Sequence, residues 1–349
     1  MKSSKLSKII SVTLTSISVL IIALLIYITF FGRDAENPGG VFSYNIDKYR
    51  KTDPKLIKFN ETGSIDTGFL SVSAVTTDLK DQIYVAGDKA VRIFDSAGNL
   101  LSEFQLSDSA NCMSVSEDDM IYLGIGDHVE VYNMDGKLLN TWKTAGEMSI
   151  LTSVDAYGDD IFVADAGGRV VLRYDRSGKL IKRIAEPDEY NNIPGLVVPS
   201  PHVDLAVARD GLLRVVNPGN HRIEAYTFDG YLEFSWGEPS MTIEGFSGCC
   251  NPVNFAIMPN GRFVTCEQGL TRVKIYTEAG EFESVVAGVE SFDMKEDMPI
   301  PDGRSESGSM VLDVAVDSIG RVLVLDPVQK SVRIFTEINT QESIKEEEI

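Results

Sequence analysis

The sequence predicts an all-β chain, a six-bladed β-propeller carried behind one N-terminal transmembrane helix. Three observations lead there: a strand pattern that recurs six times, the loss of helical periodicity after residue 31, and an uncharged apolar run near the start. The recurring unit is an apolar strand, a turn rich in Asp, Asn or Gly, a second apolar strand, and a third that ends at an aromatic residue. The third strands read AVRIFDSAGNLL to Leu101, HVEVYNMDGKLL to Leu139, VVLRYDRSGKLI to Ile181, RIEAYTFDGYLEF to Phe234, RVKIYTEAGEFE to Glu283, and a final SVRIFTEIN. Their aromatic landmarks are Phe94, Tyr132, Tyr174, Tyr226, Tyr276 and Phe335, spaced at the length of a four-stranded blade.

Turn pairs such as Asp135-Gly136 and Asp229-Gly230 favour tight hairpins into a fourth strand. A single antiparallel sheet of this kind cannot bury its apolar faces, and six packed radially can. The sixth unit has no fourth strand after Phe335, so the ring must be closed from elsewhere. Lys55-Leu56-Ile57-Lys58-Phe59 alternates suitably and is expected to supply that strand. The propeller is expected over residues 53–337, followed by an acidic tail, 338–349, whose charged run Lys345 to Glu348 reads as solvated.

Residues 9–31 carry no charge and are long enough to span a bilayer as a signal anchor, with a removable signal peptide as the alternative. Lys2, Lys5 and Lys8 precede the run, while Asp34 and Glu36 follow Arg33. The positive-inside bias therefore places residues 1–8 in the cytoplasm and exports the propeller, periplasmic or extracellular, on a tether of residues 32–52. The net charge of −20, from 52 acidic and 32 basic residues, argues against a nucleic-acid partner, because phosphate binding needs clustered Lys and Arg. Four cysteines are too few for a disulfide-built scaffold, and an apolar fraction of 43% suffices for an ordinary core.

In the fourth unit, Val216-Asn217-Pro218-Gly219-Asn220-His221-Arg222-Ile223-Glu224-Ala225-Tyr226, with Asp229-Gly230 and Trp236-Gly237, resembles the NHL repeat signature. The fifth unit follows it more loosely through Asn251-Pro252, Asn260-Gly261-Arg262 and Gly269 to Tyr276. The third keeps Val163-Ala164-Asp165, the sixth keeps Val314 to Asp317 and Asp326, and the first two match least. The resemblance covers most of residues 69–336. It implies the propeller fold rather than an activity, since NHL propellers include adhesion modules, sensor ectodomains, RNA-binding modules and a few metal-dependent enzymes.

Aligning the units turns sequence into rings on one face of the expected propeller. A first ring, at the start of the innermost strands, is Ala74, Cys112, Leu151, Asp204, Asn254 and Asp313. A second, at the ends of the second strands, is Gly87, Ile125, Asp165, Asn217, Glu267 and Asp326. Asp204, Asn254 and Asp313 on adjacent blades suit a divalent cation such as calcium. The second-ring residues fit local backbone hydrogen bonds or pairing with Arg222-type positions, here Arg222 and Arg272. His128, His202 and His221 fall in loops of the same face, and three histidines can hold zinc with an open position. Pro201-His202 is similar to the Pro-His element of NHL-type lyases that cleave peptidyl-hydroxyglycine, whose other Pro-His elements are missing here. The gluconolactonase-like propellers place a metal-binding Glu where Ala74 stands.

Cys249 and Cys250 lie in the loop entering the fifth blade and Cys266 beside the next loop. A staple between Cys266 and one of the adjacent pair is expected outside the cytoplasm, against a reactive thiol or soft-metal site. The insertion from Ser291 to Ser309, with Asp293, Glu296, Asp297 and Asp302, is expected to overhang this face. No phosphate-cradling loop, GxSxG or HExxH motif is present. The functional expectation is a membrane-anchored module that binds a protein, peptide or small ligand on its loop face, where His202, Asn217, His221, Arg222, Glu267, Arg272 and Asp326 are the candidate contacts. The alternatives are a metal-dependent hydrolase or lyase at the channel mouth and a thiol-linked redox accessory protein.

Overall fold

The computed structural model describes residues 47–143, 146–292 and 311–338. Among these the repeats form six four-stranded antiparallel sheets. Blade one is β2 (Val72–Thr77), β3 (Ile83–Gly87), β4 (Ala90–Phe94) and β5 (Leu100–Gln105). Blade two is β6 (Cys112–Val115), β7 (Met120–Ile125), β8 (His128–Asn133) and β9 (Leu138–Thr141). Blade three is β10 (Leu151–Tyr157), β11 (Asp160–Asp165), β12 (Val170–Asp175) and β13 (Leu180–Ile184). Blade four is β14 (Leu205–Val207), β15 (Leu213–Asn217), β16 (Arg222–Tyr226) and β17 (Leu232–Trp236). Blade five is β18 (Asn254–Ile257), β19 (Phe263–Glu267), β20 (Arg272–Tyr276) and β21 (Phe282–Ala287).

Blade six takes β22 (Asp313–Val316), β23 (Val322–Asp326) and β24 (Ser331–Glu337) from the C-terminal side and is completed by β1 (Phe59–Asp66). The N-terminal segment thus closes the ring on the expected blade, but not with the expected residues. Asp53 caps a 3-10 turn at Pro54–Leu56, accepting from Lys55 N at 2.9 Å, and Ile57 makes only an isolated bridge to Val285. Only Phe59 of the expected run enters the strand, which pairs from Phe59↔Glu337 to Asp66↔Ser331. A proline flanked by a capping aspartate favours a turn over the alternating pattern that follows it.

Each junction between blades has its own apolar cluster among the described residues, and each landmark aromatic lies at the junction with the preceding blade. Phe94 packs with Leu323 and Leu325 of blade six, Tyr132 with Ile93 of blade one, Tyr174 with Tyr122 and Trp142 of blade two. Tyr226 meets Phe162 of blade three, Tyr276 meets Trp236 of blade four, and Phe335 meets Val264 and Ile275 of blade five. A buried aromatic ring contributes roughly 2–3 kcal/mol by area, which makes these repeats the main glue of the ring. The second strands β3, β11, β15, β19 and β23 are buried almost throughout because neighbouring blades cover both faces. The outer strands β5 and β9 are largely exposed.

The hairpins into the fourth strands follow from their turn residues. In blade two Gly136 N donates to Asn133 O at 3.0 Å, Gly136 takes φ 73°, and Asn133 Oδ1 accepts from Lys137 N at 2.8 Å. That is a type I turn followed by a left-handed glycine, and the register shift beside Tyr132 is the bulge it produces. The expected transmembrane run 9–31, the tether up to residue 46, residues 293–310 of the insertion and the tail from 339 lie outside the described residues. Among the described residues no helix is long and apolar enough to cross a membrane.

Candidate functional site

The innermost strands β2, β6, β10, β14, β18 and β22 line an axial cavity of about 670 Å3, whose polar wall includes Asn111, Asp155, Asp204, Asn254, Asp313 and His202. An innermost strand is an edge strand: its outward N–H groups have no ladder partner and need acceptors from elsewhere. The first ring supplies them. Asp204 Oδ2 of blade four accepts from Phe255 N of blade five at 2.8 Å, and its Oδ1 accepts from Leu205 N at 2.8 Å. Asp313 Oδ2 of blade six accepts from Val75 N of blade one at 2.7 Å, with Oδ1 on Val314 N at 2.9 Å. Asn254 of blade five donates from Nδ2 to Leu312 O at 2.7 Å, ahead of blade six.

The ring differs from its sequence alignment in blade three. A bulge between Leu151 and Ser153 shifts the register, so Ser153, opposite Ala164, occupies the position held elsewhere by Ala74, Cys112, Asp204, Asn254 and Asp313. Leu151 instead is buried against Cys112 and Val163. Ser153 Oγ accepts from Leu205 N at 3.2 Å, continuing the same inter-blade tie. Blades one and two lack a polar group here. Gly124 of β7 leaves room for this, since a Cβ there would stand 2.4 Å from Cys112 Sγ.

One further carboxylate joins the wall two residues beyond Ser153. Asp155 Oδ2 accepts from Val207 N of blade four at 2.8 Å. Burial pushes Asp155 up to about 6, opposed by the Val207 N–H and assisted by the charge of Asp204. Burial likewise raises Asp204 to about 6, against hydrogen bonds from Ser153, Phe255 and Leu205. Asp313 rises to about 7, first through burial and then through the charge of Asp204. The cavity wall therefore carries three carboxyl groups that titrate near neutrality.

The second ring serves the loops of its own blades. Asp165 Oδ1 accepts from Ile150 N and Gly168 N at 3.0 and 2.9 Å, and its Oδ2 from Ser149 Oγ at 2.7 Å. Asn217 Oδ1 accepts from Val197 N at 2.9 Å and its Nδ2 donates to Gly195 O and Glu224 Oε1. Glu267 Oε2 accepts from Ser247 N and Oγ at 2.9 Å and from Arg272 at 2.8 Å, while Oε1 pairs with Lys274 Nζ at 2.6 Å. Asp326 Oδ1 accepts from Val328 N and Gln329 N, both at 2.9 Å. Arg222 pairs with Glu224 at 2.7 Å rather than with a second-ring residue.

Lys274, fully buried, also donates to Gly245 O at 2.7 Å and Ile243 O at 3.0 Å and lies over Phe246. Burial lowers its pKa to about 8 against the pull of Glu267. Lys274 stands two residues before Tyr276 on the same strand face. Charged residues recur at that offset in Arg92, Glu130, Glu224 and Arg333.

Of the three histidines only His202 lines the axial cavity, and burial holds its imidazole below the usual pKa, in the neutral form. His221 Nε2 lies 2.8 Å from Gly248 O, and His128 faces Asp127 at 3.1 Å and Glu130 at 3.6 Å. Asp204, Asn254 and Asp313 share a cavity wall, but both carboxylates and the Asn254 amide nitrogen are engaged with backbone. Among the described residues no group of three or more His, Cys, Asp or Glu side chains is arranged to hold a metal ion. All four cysteines are free thiols. Cys266 does not form the expected staple, because its position on β19 turns it into the core between blades five and six beside Val253 and Leu312.

No protein-family model matches the sequence, and no curated protein sequence matches it. Solved structures do resemble the fold. Virginiamycin B lyase from Staphylococcus aureus aligns with a TM-score of 0.51 at 12% identity, over 80% of this chain and 99% of that one. A streptogramin B lyase gives 0.55 at 12% identity, over 80% and 98%. The WD40 β-propeller domain of Doa1 gives 0.52 at 16% identity, over 77% and 80%. The chain is a six-bladed β-propeller. At these identities the likeness extends to the fold alone.

Proposed function

We propose that the chain is an extracytoplasmic binding module, tethered to a membrane by residues 9–31, whose axial cavity and surrounding loops receive a protein, peptide or small ligand. The observation that carries this reading is the division of labour around the cavity. The carboxylates that would suit a metal tie blades together, while a polar-walled space of about 670 Å3 remains open at the axis. That volume lies in the range of small-molecule sites, and the neutral His202 and the carboxyl groups offer directional contacts. The uncharged apolar run after Lys2, Lys5 and Lys8 supports the tether.

A second reading, a hydrolase or lyase working at the same mouth, is favoured by His202 on the cavity wall. The similar virginiamycin B lyase has also been solved as a catalytically inactive histidine-to-alanine variant with quinupristin. The two readings separate in one experiment. Photo-crosslinking in membranes, with a reactive group placed at Ile150 beside the cavity, should trap a partner or ligand in wild type. Ser73→Trp, at an exposed position on the cavity wall, should abolish the adduct while leaving the unfolding transition in place. Crosslinking unchanged by Ser73→Trp would overturn the binding reading, and turnover of a trapped ligand that His202→Ala abolishes would establish the second.

A further inference from the structure

The loop entering blade five presents two thiols that neither the ring nor the core uses. Cys249 Sγ and Cys250 Sγ lie 3.3 Å apart, with Cys249 exposed and Cys250 buried. The backbone on both sides of the pair is fixed. Gly248 O lies 2.8 Å from His221 Nε2 of blade four. On the other side Asn251 Nδ2 donates to Ser247 O at 2.6 Å and Gln268 O at 2.9 Å, and Gln268 N returns a bond to Asn251 Oδ1 at 2.8 Å. The Gln268 amide also donates to Cys250, 2.8 Å to Sγ and 3.1 Å to the carbonyl. That contact fixes the Cys250 sulfur beside Cys249.

We infer that Cys249 and Cys250 form a reversible two-electron redox site on the loop face, oxidised by small-molecule disulfides of the glutathione class. The Cys249 thiolate attacks one sulfur of the disulfide, forming a mixed disulfide and releasing one thiolate. The Cys250 thiolate, held by Gln268, then attacks Cys249 Sγ and releases the second. The chain loses two electrons and two protons, the electrons reduce the small disulfide to two thiols, and one S–S bond replaces another.

Covalent geometry makes the product reversible. Adjacent Cα atoms across a trans peptide are about 3.8 Å apart, short of the roughly 4.4–6.8 Å that disulfides ordinarily span, so a bond between neighbours is strained and readily reduced. The other two cysteines cannot compete, since Cys112 and Cys266 are buried in separate clusters and burial pushes both thiols far above the usual range. The proximity of Cys250 raises the Cys249 thiol as well, so oxidation quickens as pH rises.

The test uses the purified full-length chain, fully reduced, then treated at mildly alkaline pH with excess oxidised glutathione, acid-quenched and alkylated. Tryptic peptide 223–262 contains Cys249 and Cys250 and no other cysteine, while Cys266 falls in peptide 263–272. The expected result is a wild-type peptide 223–262 lighter by two hydrogens, unalkylated and free of glutathione, restored to two alkylatable thiols by a small dithiol. Cys250→Ser should stop at a glutathione adduct on Cys249, and Cys249→Ser should react at least tenfold more slowly. A glutathione adduct persisting on wild-type Cys249, a cross-link from this peptide to 263–272, or two thiols that still alkylate fully would each overturn the proposal.

Discussion

The two polar rings on the loop face use similar side chains for different work. First-ring residues Ser153, Asp204, Asn254 and Asp313 reach out of their own blade to the inner edge of the next, so they couple blade to blade. Second-ring residues Asp165, Asn217 and Glu267 reach back to the loop that enters their own blade, through Ile150, Val197 and Ser247. Oxygen-bearing side chains gathered on one face are therefore not sufficient evidence of a ligand-binding ring. Edge strands and buried loops create the same demand for acceptors.

The comparison can be broken most forcefully in the second ring. Glu267→Ala removes the partner of the buried Arg272 and Lys274 and should cost ~3–5 kcal/mol, as loss of one member of a buried ion pair does. Denaturant unfolding followed by far-ultraviolet circular dichroism would check it, and Lys274→Met combined with Glu267→Gln should recover part of the loss.

In the first ring the expected effect is smaller. Asp204→Ala leaves the Phe255 N–H without its acceptor and Leu205 N–H with Ser153 Oγ alone, and should lower stability by ~1–3 kcal/mol in the same assay. Asp313→Asn keeps an acceptor and removes a charge, so at pH 8 it should unfold no earlier than wild type, whereas Asp313→Ala should unfold earlier.

The pH dependence sharpens the same point. Asp313 titrates at about 7 in the folded chain and near 3.9 when unfolded. Between those values the folded state binds more protons, so the contribution of Asp313 to stability is full below about pH 4 and is lost as pH rises through about 7. Asp155 and Asp204, at about 6, act in the same direction over a narrower window. Asp313→Asn should flatten the decline in melting temperature between pH 5 and pH 8. The smallest effect belongs to His202→Ala, which should leave stability within ~0.5 kcal/mol because among the described residues no side chain is hydrogen-bonded to its ring, while altering what the cavity holds.

Much of the fold was legible because the junctions between blades select for it. One aromatic residue per repeat fills each junction, and that periodic mark survives where the rest of the repeat has drifted, as in blades one and two. The closing strand was misplaced because β1 buries only Phe59 and Ile65 against the ring and shows little apolar alternation across its middle. The site was less legible. A bulge moved Ser153 into the place assigned to Leu151, and bulges leave no sure trace in sequence. Asp155 was missed with it. Asp204, Asn254 and Asp313 share one cavity wall, but hydrogen bonding to the edge of the following blade depends on three-dimensional neighbours that strand patterns do not name.

The most direct test of the claim that the first ring holds blades rather than a cation is elemental analysis of the full-length chain, purified without chelator or affinity metal, alongside Asp204→Asn and Asp313→Asn. The account predicts no near-stoichiometric calcium or zinc that depends on either carboxylate. One equivalent of metal in wild type, lost in both variants, would contradict it and return the axial cavity to a metal centre.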